Sequence, residues 1–180
     1  MKAALDACVL YPTVLREILI GAADAGLYSP VWSARILSEW QHAAARLGPD
    51  QQAVAGVEIA LLRLAQPDAE APDDGTAAAG FDWPDPADRH VAEAALAAGA
   101  GLIVTANLRD FPRRVLGALG MQAVHPDAFL LDLHRRDPDA IAATVAAAHR
   151  KATALGGPMT LRDLMARARL PRLSKALGAR

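Results

Sequence analysis

The chain lacks the raw material of several common protein classes. Cys8 is its only cysteine, so no internal disulfide can form, and a reducing, cytoplasmic compartment suits it. Cys8 itself reads as a small buried residue rather than a nucleophile. Aromatic residues are 4% of the total, which leaves the core to small side chains, alanine above all, in closely packed helices. No apolar run reaches the ~18 residues that a membrane-spanning helix needs, so no membrane association is expected. The opening Met1-Lys2-Ala3-Ala4-Leu5-Asp6 meets an acid too early for the apolar core of a signal peptide. The histidines (His42, His90, His125, His134 and His149) show no His-Glu-x-x-His or Cys/His zinc spacing. There is also no P-loop, no Gly-x-Gly-x-x-Gly and no nucleophile elbow.

What is present describes a globular protein, with 53% apolar and 22% charged residues. Its 180 residues suit one domain with an appended element. The net charge of −1 argues against a general nucleic-acid binder, but the charge is unevenly spread. Residues 141–180 carry Arg150, Lys151, Arg162, Arg167, Arg169, Arg172, Lys175 and Arg180 against Asp163 alone, a net +7 that leaves −8 for residues 1–140. Such asymmetry suggests a polyanionic or acidic partner, the alternative being ordinary solvated helix faces.

Local signals alternate between strand and helix. A short strand over 3–5 ends at Asp6, and Pro12 precedes a helix from Thr13 to about Ala25 that Gly26 closes. Leu27–Trp32 reads as a second strand, which Pro30 confines to an edge or an end. Ser33 caps a helix over 34–47, Gly48-Pro49 stops it, and another follows over 51–64. Residues 66–80, dense in Pro, Gly, Asp and Ala, read as a mobile surface loop with room for one short strand. Asp85-Pro86 opens a helix to Ala98, and Leu102–Thr105 is a compact buried strand. A short helix over 112–119 leads to a strand over 121–124. This alternation implies a parallel sheet with helices on both faces. Beyond His125-Pro126 the pattern is helical only, over about 127–135, 138–154, 161–168 and 171–177. Thr160-Leu161-Arg162-Asp163 is a capping box with Asp in place of Glu.

In an open parallel sheet, ligands gather outside the carboxyl ends of the strands. Asp6 stands at the first such end. Glu39 borders the apolar stripe of Ile36, Leu37, Trp40, Ala43, Ala44 and Leu47, and is either a boundary residue or a group reaching a site at the sheet edge. Asp88, at the third position of its helix, either complements the helix dipole or turns inward with Val91 and Ala95, while His90 and Glu93 point away. Asn107 and Asp110 repeat that arrangement after the central strand. Carboxylates gathered at one crevice repel one another unless a hard cation neutralises them, and Mg²⁺ or Mn²⁺ prefers such oxygen ligands. That chemistry suits phosphoryl transfer to water.

At these residues the sequence resembles a family. Leu5-Asp6-Ala7-Cys8-Val9-Leu10-Tyr11-Pro12 looks like the opening of PIN domains. The run from Pro84 to Ala95, with Asp85, Asp88 and Glu93, and the run Leu102–Phe111 are similar to their second half. The resemblance spans about residues 3–125 and implies a three-layer α/β/α fold with a parallel sheet of four or five strands. It divides the chain into a nuclease domain over 1–125 and a helical extension over 126–180. PIN domains are metal-dependent nucleases, and many bacterial members are VapC-like toxins that cut RNA and are silenced by an antitoxin. Carried over by position, Asp6, Glu39, Asp88 and Asp110 match the acidic quartet that holds metal and serves catalysis, with Asn107 as a support through water. Arg109, Arg113 and Arg114, just past the site, are candidates for phosphate contact or plain surface. The implied partners are an RNA substrate and a cognate antitoxin, and a homodimer is compatible with them. Two rivals stand beside this expectation. One is a non-catalytic PIN-like RNA-binding or regulatory module. The other is an Asp-nucleophile phosphohydrolase using Asp6, against which the absence of Asp at position 8 counts.

Overall fold

The computed structural model describes residues 1–179. In chain order its elements are β1 (Lys2–Leu5), α1 (Ala7–Leu10), α2 (Thr13–Asp24), β2 (Ser29–Val31), α3 (Ala34–Ala45), α4 (Pro49–Ala65), α5 (Arg89–Ala98), β3 (Leu102–Val104), α6 (Arg113–Ala118), β4 (Gln122–Val124), α7 (Pro126–Arg136), α8 (Pro138–Gly156), α9 (Leu161–Arg167) and α10 (Pro171–Ala176). Two single 3-10 turns, Pro86–Asp88 and Leu108–Asp110, precede α5 and α6.

Two compact units can be described. The first comprises Met1–Tyr11 with Ser29–Val124, and the second Pro12–Tyr28 with His125–Arg180.

The first unit holds the expected parallel sheet, with four strands in the order β2-β1-β3-β4. Ala3, Ala4, Leu5, Ile103 and Val104 are fully buried, as central strands of a covered parallel sheet must be. α5 packs on β1, β2 and β3 through the buried Val91, Ala92, Ala94 and Ala95. Pro30 lies in β2, the edge strand, where a missing N–H costs least. Ser33 caps α3 by accepting the Ile36 N–H at 3.2 Å. α4 buries Ala55, Ile59 and Leu62 and turns Val54, Val57, Leu61 and Leu64 to solvent.

The segment expected to be a mobile loop is tied down at two points. Trp32 leaves β2 to form a parallel bridge with Glu70, its N–H donating to Ala69 O at 3.0 Å and its carbonyl accepting the Ala71 N–H at 2.8 Å. Further on, Ala78 is fully buried, and its N–H donates to Glu93 Oε1 at 2.8 Å while its carbonyl accepts the Trp83 indole N–H at 3.0 Å. Backbone bonds and single alanines anchor it, so it has none of the periodicity that marks an ordered segment in sequence.

The second unit is helical. α2 and α7 pack on α8, while α10 packs on α7 and α9. Tyr28 donates its hydroxyl to Leu19 O at 2.9 Å and meets Phe129 edge-on at 5.0 Å. Thr160 caps α9 by accepting the Asp163 N–H at 3.1 Å, and its hydroxyl donates to the Asp163 carboxylate at 2.7 Å. The capping box is thus formed, with Asp reaching the hydroxyl, whereas Glu would reach the backbone.

Candidate active site

All four acids read from the sequence belong to the first unit, one each from the β1 end, α3, the turn before α5 and the turn before α6. Asp6 follows β1 and opens α1, with its N–H donating to Val104 O at 3.1 Å across the neighbouring strand. Its carboxylate is buried and held on Oδ2 by the Thr105 hydroxyl at 2.6 Å and the Cys8 thiol at 3.0 Å. Thr105 Oγ1 also accepts the Asn107 N–H at 3.0 Å, and Cys8 Sγ the Ala106 N–H at 3.3 Å. The chain leaving β3 is thereby tied to the chain leaving β1. Burial, then the Asp6 charge, pushes the Cys8 thiol up to about 12, so it remains a neutral donor and not a nucleophile.

Asp88 is not at the third position of an α-helix, as expected, but ends the 3-10 turn that Asp85 caps by accepting the Ala87 N–H at 2.8 Å. Pro86 at the start of the turn removes one donor, and the chain tightens before α5 begins at Arg89. The Asp88 carboxyl group is pushed up to about 6, first by burial and then by the charges of Asp6, Asp85, Asp110 and Glu39. The other three members of the quartet are therefore within electrostatic reach of Asp88.

Glu39 is half-buried on α3. Its Oε1 lies 2.8 Å from His90 Nε2, off the hydrogen-bonding direction, and 3.5 Å from Arg35 Nε. His90 and Glu93 do not point away, contrary to the sequence reading. Both are buried, His90 between Glu39 and Asp73 (3.8 Å from Nδ1) and Glu93 beneath Ala78. α5 is covered on more than one face, so a single apolar stripe does not mark its buried side. Asp110 ends its own 3-10 turn, 20% exposed, with Arg109 Nε at 3.6 Å. Asn107 precedes that turn, but its side chain makes no capping bond, because the Asp110 N–H is taken by the Asn107 carbonyl at 3.0 Å. Arg109, Arg113 and Arg114 are exposed.

The donor set consists of oxygens with excess negative charge, the composition that suits Mg²⁺ or Mn²⁺. Among the described residues, no three His, Cys, Asp or Glu side chains stand close enough to form a metal cage. An ion bound here would keep several waters and take only one or two of the carboxylates directly, as Mg²⁺ usually does. Sequence reasoning missed Thr105 and Cys8 as the groups that fix Asp6, and His90 as the neighbour of Glu39. Only the position of Thr105 at the end of a strand facing Asp6 hinted at the first.

No helix among the described residues is long and apolar enough to cross a membrane. No solved structure matches the chain. A protein of Mycobacterium tuberculosis (strain ATCC 25618 / H37Rv), described as "Putative ribonuclease VapC50", is 51% identical over 45 residues, which are 25% of this chain and 27% of that one. The family model of the PIN domain matches residues 2–109, taking in Asp6, Glu39 and Asp88 and ending one residue before Asp110. With more than half its length matched in this way, the chain belongs to the PIN-domain family.

Proposed function

We propose that the protein is a divalent-metal-dependent endoribonuclease that hydrolyses RNA phosphodiester bonds, and that it is a toxin neutralised by a cognate antitoxin. One observation carries the reading: Asp6, Glu39, Asp88 and Asp110 come from four separate elements of the first unit, and burial together with the charges of its neighbours pushes the Asp88 carboxyl up. Negative charge gathered from four elements suits a hard divalent cation. Mg²⁺ or Mn²⁺ held by Asp6, Asp88 and Asp110, one or two of them directly and the rest through water, would supply the positive charge that offsets the phosphate in the transition state. Thr105 and Cys8 fix the Asp6 carboxylate, so that its free lone pairs keep one direction. Glu39, more open than Asp6, serves as a further ligand or as the base that orients water, with His90 Nε2 2.8 Å from its Oε1. Asn107 lends support through water, and Arg109, Arg113 and Arg114 meet phosphates of the bound strand. The single free cysteine suits a cytoplasmic protein.

The absence of a closed three-ligand cage among the described residues favours one alternative, a PIN-like module that binds RNA without cutting it. Labelled RNA incubated with the protein in Mn²⁺, in Mg²⁺ and in EDTA separates the two. Cleavage in the metals and none in EDTA supports the nuclease, and binding without cleavage in either metal supports the module. Co-expression with the product of a small gene immediately upstream should abolish cleavage if the toxin reading is right.

A further inference from the structure

The second unit contains a cavity of about 560 Å³ whose lining includes His125, Asp127, Arg162, Met165, Arg169 and Ser174. Arg169 is the non-glycine residue with positive φ, at 56°, among the described residues. It ends α9 in a Schellman turn, its N–H donating to Ala166 O and the next N–H, of Leu170, to Met165 O, both at 3.0 Å. The same pair of bonds recurs at Gly26, Gly99, Gly120 and Gly178, with φ from 62° to 78°. Glycine thus occupies four of five equivalent positions, and the fifth, at the cavity, holds a long cationic side chain in a backbone conformation that a side chain disfavours. An outlier of this kind points to a use for the side chain beyond the turn.

The rest of the lining fits an anionic ligand with an apolar part. Asp127 is the one acid there, and its two oxygens are committed to the Arg172 and Leu173 N–H groups, each at 3.0 Å. His125 Nδ1 accepts the Asp127 N–H at 3.2 Å, which leaves Nε2 as the ring's donor. Arg162 and Arg169 offer planar forks suited to a phosphate, Ser174 a hydroxyl, and Ala166 and Pro171 an exposed apolar wall. The volume is that of a small-molecule site and far exceeds a lone phosphate. Counting Asp, Glu, Lys and Arg, the second unit is net +4 and the first net −5, which together make the chain's −1. The unit with the carboxylates repels a polyanion, and the unit with the cavity attracts one.

We propose that this cavity is an RNA subsite that takes one nucleotide of the strand, its phosphate against Arg162 and Arg169 and its base or ribose against Pro171 and Ala166. The choice of RNA as the polyanion rests on the ribonuclease reading. The test is fluorescence anisotropy of a labelled single-stranded RNA in EDTA, where no metal-dependent cleavage competes. It compares wild type, Arg169→Gly, Arg162→Gln/Arg169→Gly and a charge-matched control, Arg135→Gln/Arg150→Gln. Arg169→Gly should melt higher than wild type, because the turn gains its preferred residue, yet bind RNA more weakly. The Arg162/Arg169 double variant should bind about tenfold more weakly. Its log–log salt slope should become shallower by about 0.7 for each phosphate that is no longer neutralised. The control should weaken much less. If Arg169→Gly lowers the melting temperature, Arg169→Asn, which also tolerates a left-handed turn, repeats the binding measurement in a second background. Unchanged RNA affinity in the cavity double variant, or a loss no greater than the control's, overturns the proposal. So does intact RNA binding with loss of an acidic protein partner. Cleavage by wild type in Mn²⁺, assayed separately, distinguishes the two readings: RNA held through the cavity without any cleavage sinks the nuclease alone, and cleavage with cavity-independent binding sinks the subsite alone.

Discussion

Asp88 shows what burial, and then the charge of neighbouring acids, does to a carboxyl group. A carboxyl near 3.8 in the unfolded chain and about 6 in the fold is one the fold prefers protonated. Between those values the folded protein binds more protons than the unfolded one, so this group's penalty is absent below about 3.8 and complete above about 6. Metal-free protein should therefore gain stability as pH falls from 7 towards 5, by about 1 kcal/mol once solvent screening of a partly exposed group is allowed for. Asp88→Asn should raise the melting temperature at pH 7 and flatten that dependence, and thermal melts in EDTA at pH 5, 6 and 7 read both. A melting temperature that rises between pH 5 and 7 in wild type, and equally in the mutant, would contradict a carboxyl that burial and neighbouring charge hold protonated. The four acids were legible as candidates because each sits at a strand exit, a helix border or a turn. Their support was not legible: the Thr105 hydroxyl that holds Asp6 is 99 residues away along the chain. Thr105→Val removes that bond while keeping the shape, and should lower cleavage by roughly tenfold or more through misplacement of Asp6. Rescue by Thr105→Ser, together with an unchanged melting temperature, would mark a positioning role.

Elements with local causes were readable in advance. α3 begins where Ser33 can cap it and α5 ends at Gly99, with φ 66°, because those decisions involve neighbours in sequence. Ser33→Ala should cost about 1 kcal/mol in denaturant unfolding, and a loss near zero would show that the cap contributes nothing. The elements that escaped are short. α1 is a single turn, and the 3-10 turns over 86–88 and 108–110 have no hydrophobic period to announce them. The segment over 66–80 escaped for the opposite reason: it is ordered by Trp32, Glu93 and Trp83, none of which lies within it. Glu93→Ala should release Ala78 and open residues 75–80 to limited proteolysis well before the wild type is cut there. Equal rates would mean that the Glu93 carboxylate does not hold the segment.

At the scale of the whole molecule, the α/β class and the four-stranded parallel sheet were legible because buried strands and amphipathic helices alternate along the chain. The composition of the second unit was not, since α2 is separated from α8 by most of the sequence. The two helices approach closely at Gly21, where an added Cβ would stand 2.7 Å from Thr144 Cγ2. That approach is invisible until the fold is known. Gly21→Val should destabilise the protein by about 1–3 kcal/mol through overpacking, read as a lower denaturation midpoint. Charge is divided between the units, with the acids of the candidate site in the negative one. One measurement decides whether Asp6, Glu39, Asp88 and Asp110 together bind a divalent ion that RNA hydrolysis requires. This is the single-turnover cleavage of a labelled RNA over a Mn²⁺ titration, by wild type and by Asp88→Asn. The expected wild-type rate rises from nothing in EDTA to a plateau, and the mutant is slower by roughly 100-fold or more and needs more metal to reach its own plateau. A mutant that cuts at the wild-type rate, or a wild type that cuts undiminished in EDTA, would contradict that assignment.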